Sequence, residues 1–169
     1  MKKLKIFLLL LMSILVFTGC RNETIPKDGT VVYYLNKDGT SIVPVACDIT
    51  GDGPEIKVEE LLAKLEEVPE SVDLRRTIPE NVKILSYTME RKQLYLDFST
   101  EYLDMDKATE VLVRAAIVKT MVQVEEISFI GIRVAGEPIK DTKGSSIGLM
   151  NENTFLDSMG SEEHATKIV

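Results

Sequence analysis

Two helical segments, each preceded by a pair of extended runs, limit the folds open to this chain. From Pro54 onward apolar residues recur at the spacing of one helix face, and Pro69 ends that pattern. A second apolar face follows a capping aspartate, Asp104 or Asp106. Its apolar positions are Ala108, Val111, Leu112, Ala115, Ala116, Val118 and Val122. On this second helix Glu110 and Arg114 are expected to form an i,i+4 pair on the outside.

The predicted strands are short runs rich in β-branched and aromatic residues and bounded by turn residues. They cover 30–35, 41–47, 82–89, 93–99 and 127–134. Pro44 lies inside the second run and marks it as an edge strand, because proline cannot donate to a ladder. The element order is β-β-α-β-β-α-β, and hairpins are antiparallel. The sequence therefore predicts an α+β fold with two helices packed on one face of a mixed, mostly antiparallel sheet.

The amino-terminal segment has the layout of a secretory signal. Three lysines, Lys2, Lys3 and Lys5, precede a run of twelve residues from Ile6 to Phe17 that only Ser13 interrupts. As a helix that run would span about 18 Å, whereas the hydrocarbon layer of a membrane is about 30 Å thick. We therefore expect residues 1–19 to be removed as a signal peptide.

The segment Val16-Phe17-Thr18-Gly19-Cys20 resembles the bacterial lipobox, in which the cysteine receives a diacylglycerol thioether. The resemblance implies lipid attachment, such as palmitate, at Cys20 and a lipid-anchored tether over 20–29. The pattern of elements predicts one domain over 30–157, and the polar residues after it predict a flexible tail over 158–169. The lipobox resemblance also implies a location on the extracytoplasmic face of the bacterial cytoplasmic membrane, to which the lipid would bind. The alternative is an ordinary signal peptide that happens to contain a cysteine.

Composition excludes several classes of protein. Lys plus Arg total 20 against 27 Asp plus Glu, and a net charge of −7 argues against nucleic-acid binding, which requires a basic surface. His164 is the one histidine, and with Cys47 it makes no zinc-ligand cluster at any usual spacing. Cys47 is expected to be an unpaired, small buried hydrophobe. No cofactor and no metal site are predicted.

Three patterns resemble chemical sites. Ser146 lies in a G-x-S-x-G segment, with Asp157 and His164 following in the order of a hydrolase triad, but a polar loop precedes it where a strand is needed. Five residues match a calcium loop: Asp48, Thr50, Asp52, Gly53 and Glu59. A strand precedes that loop where a helix belongs, so an acidic turn is favoured and calcium binding stays open.

Four carboxylates, those of Asp97, Glu101, Asp104 and Asp106, could be paired for acid–base work, but such clusters usually belong to a solvated face. We therefore predict no catalytic residue and no enzymatic activity.

The ordered motifs over 31–136 resemble the GerMN domain family. They are Ile42-Val43-Pro44-Val45, the leucine-rich helix 61–65, the segment 78–85, Leu96-Asp97-Phe98-Ser99, the helix 115–123 and the closing segment 134–138. The resemblance implies a non-catalytic, exported α+β module of the bacterial envelope, involved in sporulation or spore germination.

The predicted function is thus a lipid-anchored protein-interaction or scaffolding module with an unknown envelope partner. The alternative is a ligand-binding lipoprotein that captures a cell-wall fragment or calcium. Two surfaces are candidates for the partner. One is the Ser41–Val45 edge, and the other is the side of the second helix that carries Thr109, Glu110, Lys119 and Gln123.

Overall fold

Residues 29–155 are described by the computed structural model. Their elements, in chain order, are β1 (Val31–Asn36), β2 (Ile42–Ala46), α1 (Pro54–Glu66), β3 (Leu74–Arg75), β4 (Ile84–Glu90), β5 (Gln93–Phe98), α2 (Lys107–Met121), β6 (Phe129–Val134) and β7 (Glu137–Pro138). The predicted signal peptide, Cys20, all of the tether except residue 29, and the tail lie outside these residues. None of the helices within 29–155 is both long and apolar enough to cross a membrane.

The first sheet has the strand order β2-β1-β3, and both of its pairings are antiparallel. Cys47 donates its backbone N–H to the Thr30 carbonyl, and Asn36 donates to the Ser41 carbonyl. The residues of β1 that hydrogen-bond to the backbone of β2 are therefore the even-numbered ones, such as Val32 and Tyr34. Pro44 faces Tyr33, an odd position, so the proline nitrogen points to the outer edge of the sheet. The predicted edge position of β2 is confirmed.

The second sheet has the order β4-β5-β6-β7 and contains one parallel pair, β5 with β6. The β4–β5 hairpin closes through Arg91 and Lys92, whose φ angles are 48° and 67°. Two consecutive residues in the left-handed region are typical of a two-residue turn that follows the twist of the strands. Glu90 and Gln93, which flank the turn, then form the first hydrogen-bonded pair of the ladder.

The α+β class, with two helices and mostly antiparallel strands, is confirmed, but the strands form two sheets where one was predicted. The physical reason lies at the second edge of β1. Part of that edge pairs with β3, and the rest is hydrogen-bonded to the side chains of Thr120 in α2 and Gln123 just after it. The β1 edge of the first hairpin is therefore not free to join the second hairpin, and Pro44 interrupts the donors of its β2 edge.

Both helices contribute to one hydrophobic core that also contains residues from both sheets. The predicted apolar face of α1 is confirmed, with Val58, Leu61, Leu62 and Leu65 buried. Helix α2 is buried more completely than its sequence pattern predicts, because every residue from Leu112 to Val118 is buried. It contacts β1 of the first sheet and β6 of the second. Such a helix has little surface left for a partner.

Candidate functional site

Three of the four carboxylates considered for acid–base work, those of Asp97, Glu101 and Asp106, have separate local hydrogen-bond partners. Asp97 Oδ1 accepts the Gly136 backbone N–H at 2.9 Å, which stabilises the turn between β6 and β7. Asp106 caps α2, since its Oδ1 accepts the Thr109 N–H at 3.0 Å, and this bond lowers the pKa of the carboxyl. A side-chain hydrogen bond from Ser99 lowers the pKa of Glu101. These groups stabilise local structure and do not share a proton or a ligand.

The calcium-like loop is closed by a carboxylate other than the expected one. Glu60 accepts two hydrogen bonds from Thr50, from its backbone N–H at 2.9 Å and from its hydroxyl at 3.1 Å. Glu59, the expected twelfth position, instead accepts a hydrogen bond from the hydroxyl of Tyr87. Within residues 29–155 no group of three His, Cys, Asp or Glu side chains is arranged to hold a metal ion. The loop geometry therefore matches the acidic turn.

The G-x-S-x-G segment lies in a turn. Asp141 Oδ1 accepts the backbone N–H groups of Lys143 and Ser145, both at 2.8 Å, and Ser146 pairs with Lys140. The serine is not followed directly by an α-helix, as a nucleophile elbow would require, and the next helical element within the described residues is a four-residue 3-10 helix, Glu152–Phe155. Asp157 and His164 lie outside the described residues.

A buried polar network joins α2 to the segment before it. Glu110 Oε1 lies 3.0 Å from Arg114 Nε, and Glu110 Oε2 accepts a hydrogen bond from Nη2 at 3.2 Å. The hydroxyl of Tyr102 donates to Glu110 at 3.1 Å, and the guanidinium lies 5.8 Å from the ring centroid of Phe155. Burial, and then the charge of Glu110, raises the pKa of Tyr102 well above its usual range.

The expectation that Glu110 and Arg114 lie on the outside of the second helix is wrong. Glu110 is 6% exposed, Arg114 is 2% exposed and Tyr102 is 1% exposed, so a substrate has no access to these groups. Charge neutralisation within the pair and the bond from the tyrosine make this burial tolerable. The i,i+4 spacing of a charged pair is the same whether the pair is buried or exposed, so it could not reveal this burial. The apolar residues next to Arg114 in the sequence are the signal that could have done so.

The predicted docking side of α2 is also occupied. Gln123 Oε1 accepts the backbone N–H of Val31 at 2.9 Å, and its Nε2 donates to the Val31 carbonyl at 2.7 Å. The hydroxyl of Thr120 accepts the N–H of Tyr33 at 3.1 Å. These side chains take the place of a neighbouring strand along β1. Of the four residues predicted for this surface, Glu110 is buried, Gln123 is hydrogen-bonded to β1, and Thr109 and Lys119 are partly exposed, so binding of a partner at this surface stays a prediction.

Three of the remaining strand edges are protected. Pro44 removes the central donor from the outer edge of β2, which is the predicted Ser41–Val45 surface. Strand β3 has two residues. Strand β7 also has two residues, and the edge of β6 that it leaves unpaired is covered by the following chain, where Met150 exchanges two hydrogen bonds with Ile130.

The outer edge of β4 is the exception, and we call it the open edge. In an antiparallel ladder every second residue bonds to the neighbouring strand. Because Glu90 bonds to Gln93, Thr88 and Ser86 also bond to β5. The N–H and C=O groups of Tyr87 and Met89 therefore point away from β5, towards the outer edge. Among residues 29–155 no backbone group pairs with this edge. Strand β4 has seven residues and contains neither proline nor lysine, the residues that usually block strand addition.

The face of the open edge nearest α1 is acidic. The hydroxyl of Tyr87 donates to Glu59 Oε1 at 2.9 Å. Partial burial, and then this bond and the charge of Glu59, raises the pKa of Tyr87, and Glu55 acts in the same direction. Both glutamates are exposed. The open edge thus combines free backbone groups with a local negative charge.

The outer face of the second sheet carries a stacked aromatic group. The ring of Tyr95 lies across Gly131, where a Cβ atom would come within 2.5 Å of Cδ1 of the ring. The guanidinium of Arg133 covers that ring at 4.5 Å from its centroid. Glycine is needed at position 131 because the ring occupies the space of a side chain.

Cys47 is half-buried against the core, and its Sγ lies 3.7 Å from the Thr30 carbonyl. Burial raises the pKa of the thiol, which lowers the fraction of reactive thiolate. Its environment fits the predicted role as a small apolar residue.

Comparison with models of protein families shows the family to which the chain belongs. A family model named Germane, described as sporulation and spore germination, matches residues 31–140, which is more than half of the chain. The chain belongs to this family, and the predicted GerMN resemblance is confirmed. A comparison with curated protein sequences finds no significant match.

Solved structures show the same fold at low sequence identity. The first GerMN domain of the sporulation protein GerM from Bacillus subtilis is 17% identical, with a TM-score of 0.57, and the match covers 71% of this chain and 93% of that one. A candidate lipoprotein from Clostridium perfringens is 20% identical, with a TM-score of 0.51, and the match covers 80% and 95%.

The tandem GerMN domains of the same Bacillus subtilis protein also match, with 17% identity and a TM-score of 0.57. That match covers 71% of this chain but 44% of the tandem chain. The chain therefore spans less than half of that relative.

Proposed function

We propose that this protein is a lipid-anchored, non-catalytic interaction module of the bacterial envelope that acts in sporulation or spore germination. The observation that carries the proposal is the open edge of β4. It is the one long strand edge among residues 29–155 that neither proline, nor side chains, nor another segment protects. Natural sheets usually block such edges, and an unblocked one is suited to a binding partner.

Three further observations support the proposal. The polar groups that resemble catalytic sets are used within the fold, by helix caps, turns and the buried Glu110–Arg114 pair. One structural neighbour is described as a candidate lipoprotein, and another as a sporulation protein. Cys20 ends a lipobox-like segment, so acylation there would hold the domain near the membrane and raise its concentration relative to a membrane-bound partner.

The anchor is tested by replacing Cys20 with alanine. We expect the wild-type chain to incorporate labelled palmitate and to sediment with membranes, and the Cys20→Ala variant to do neither. Cys47→Ala is the matched control, since it removes the other cysteine, and it should keep both properties. An unmodified amino terminus on the native protein, found by mass spectrometry, would refute lipid attachment.

The interaction role is tested by crosslinking in sporulating cells, followed by purification of the tagged protein. We expect an envelope protein to be enriched relative to the Cys20→Ala control. Recovery of the same proteins from both strains would count against the proposal. A turnover assay on cell-wall material provides the opposite test, because any activity that depends on a described residue would contradict a non-catalytic role.

A further inference from the structure

We infer that the open edge of β4 binds an extended peptide as an added antiparallel strand, and that this peptide carries a basic side chain opposite Tyr87. The inference rests on the proposed function and gives its partner a chemistry. Tyr87 and Met89 present N–H and C=O groups outward at a spacing of two residues, about 6.8 Å along the strand. An antiparallel peptide would exchange hydrogen bonds with both residues.

The geometry of β4 sets the length of the peptide. A register shift between Ile84 and Ser86 makes a bulge at Leu85, and the Arg91-Lys92 turn ends the strand on the other side. The regular ladder thus runs from Ser86 to Glu90. A bound segment would pair over about five residues, and specificity would come from the side chains on one face of that segment.

The charge around Tyr87 sets the kind of side chain. Residues directly opposite each other in neighbouring strands place their side chains on the same face. The peptide residue opposite Tyr87 would therefore lie on the face where Glu59 accepts the tyrosine hydroxyl and where Glu55 lies one turn earlier on α1. Lys83 precedes the strand and Arg91 follows Glu90 at its end, so the negative charge that is not offset by a neighbouring cation in the chain is that of Glu55 and Glu59 beside Tyr87. A lysine or arginine at the centre of the peptide fits this pattern.

The same charges disfavour a second copy of this chain as the occupant. Two-fold antiparallel pairing of β4 with itself about Tyr87 would bring the Glu55 and Glu59 side chains of both copies to one interface. Like charges there would repel each other, and each copy carries a net charge of −7. A basic side chain on a bound peptide would be attracted to Glu55 and Glu59, whereas a second copy would double the negative charge at the interface.

The test uses the full chain in detergent and a labelled heptapeptide, Thr-Val-Thr-Lys-Thr-Val-Thr, acetylated and amidated at its ends. Fluorescence anisotropy measures its affinity. N-methylation of the amides of the lysine and the first valine, which would face Tyr87 and Met89, should weaken binding at least tenfold, whereas N-methylation of the amides of the two central threonines should leave it within about twofold. The two modified peptides differ only in the side of the backbone that is blocked.

The protein variants test the charge. Glu55→Gln combined with Glu59→Gln should weaken binding of the lysine peptide by roughly threefold to tenfold, with less effect at high salt. Glutamine at position 59 can still accept the Tyr87 hydroxyl, so the fold is preserved. Glu152→Gln, an exposed change beyond the far side of the sheet, is the matched control and should have no effect. A peptide with glutamate in place of lysine should bind at least tenfold more weakly.

Three results would overturn the inference: no binding of the lysine peptide at millimolar concentration, equal loss from both N-methylation patterns, or equal effects of the double variant and Glu152→Gln. A dimer of the full chain that the peptide does not dissociate would also overturn it. These outcomes leave the proposed function separately testable, because membrane attachment and partner recovery in cells do not depend on this peptide.

Discussion

Replacing Gln123 with alanine should release one end of β1 from α2. The substitution removes both hydrogen bonds between the glutamine side chain and the backbone of Val31. Each is worth about 0.5–1.5 kcal/mol net, and water can partly replace them because Gln123 is exposed. We therefore expect a loss of about 1–2 kcal/mol in the free energy of unfolding and a decrease in Tm of roughly 3–10 °C.

Native-state hydrogen exchange can assign this loss to particular atoms. In Gln123→Ala the amide of Val31 should exchange about tenfold faster, while the amide of Tyr33, which is bonded to Thr120, should change little. In Thr120→Val the amide of Tyr33 should exchange faster, while the amide of Val31 should change little. This substitution leaves the Tyr33 N–H without its acceptor, at a cost of about 1–3 kcal/mol, and preserves the volume of the buried side chain.

Gln93→Ala is the matched control, because its side chain accepts one hydroxyl, that of Tyr95, and is remote from β1. Neither the Val31 amide nor the Tyr33 amide should respond to it. If both amides instead accelerate equally in Gln123→Ala and in Thr120→Val, the two side chains do not cap β1 individually, and the explanation for the separation of the two sheets is refuted.

Three other predictions concern the remaining polar and packing features. Arg114→Leu should cost about 3–5 kcal/mol in chemical denaturation because it leaves the buried Glu110 carboxylate with only the more exposed Lys107, 3.8 Å away, as an ion-pair partner among the described residues, and adding Glu110→Leu should restore part of that loss; equal, additive costs would contradict this. The lowered pKa of Asp106 means that its cap contributes stability above about pH 3.9, which is lost as the pH falls through the lower folded-state pKa. The Tm difference between the wild type and Asp106→Asn, in which the amide oxygen can still cap the helix, should therefore shift towards Asp106→Asn below about pH 3.9, and a constant difference would count against a contribution from the ionised carboxylate. Gly131→Ala should destabilise the protein by about 1–3 kcal/mol by displacing the ring of Tyr95, and Tyr95→Ala should make the same change nearly neutral; a glycine substitution that is harmless on its own would disprove the close contact.

The sequence predicts both α-helices and five of the seven strands among the described residues, because those elements have strong local signals, whereas the two-residue strands β3 and β7 have none and were not predicted. Proline at the start of α1 and an aspartate before α2 mark the helix starts, and alternation of apolar residues marks β5. The division into two sheets depends on contacts between residues far apart in the chain, such as Val31 with Gln123. Local patterns carry no information about such pairs.

The candidate site was harder to predict for a related reason. Pro44 correctly indicated an edge strand, but the same residue makes that edge a poor binding surface. The open edge depends on the position of β4 at the end of the strand order, which the hairpin pattern alone does not specify. The burial of Glu110 was missed because its i,i+4 spacing to Arg114 is the same on a surface and in a core.

The parallel pairing of β5 with β6 has a consequence for the order of folding. The β4–β5 hairpin joins residues that are neighbours in the chain, whereas β6 reaches β5 only after the whole of α2 has been placed between them. Contacts of such long sequence separation form late and slow the folding rate. Until they form, Leu94, Leu96 and Phe98 lack their neighbours on β6, and these exposed apolar side chains make the folding chain prone to aggregation during that interval.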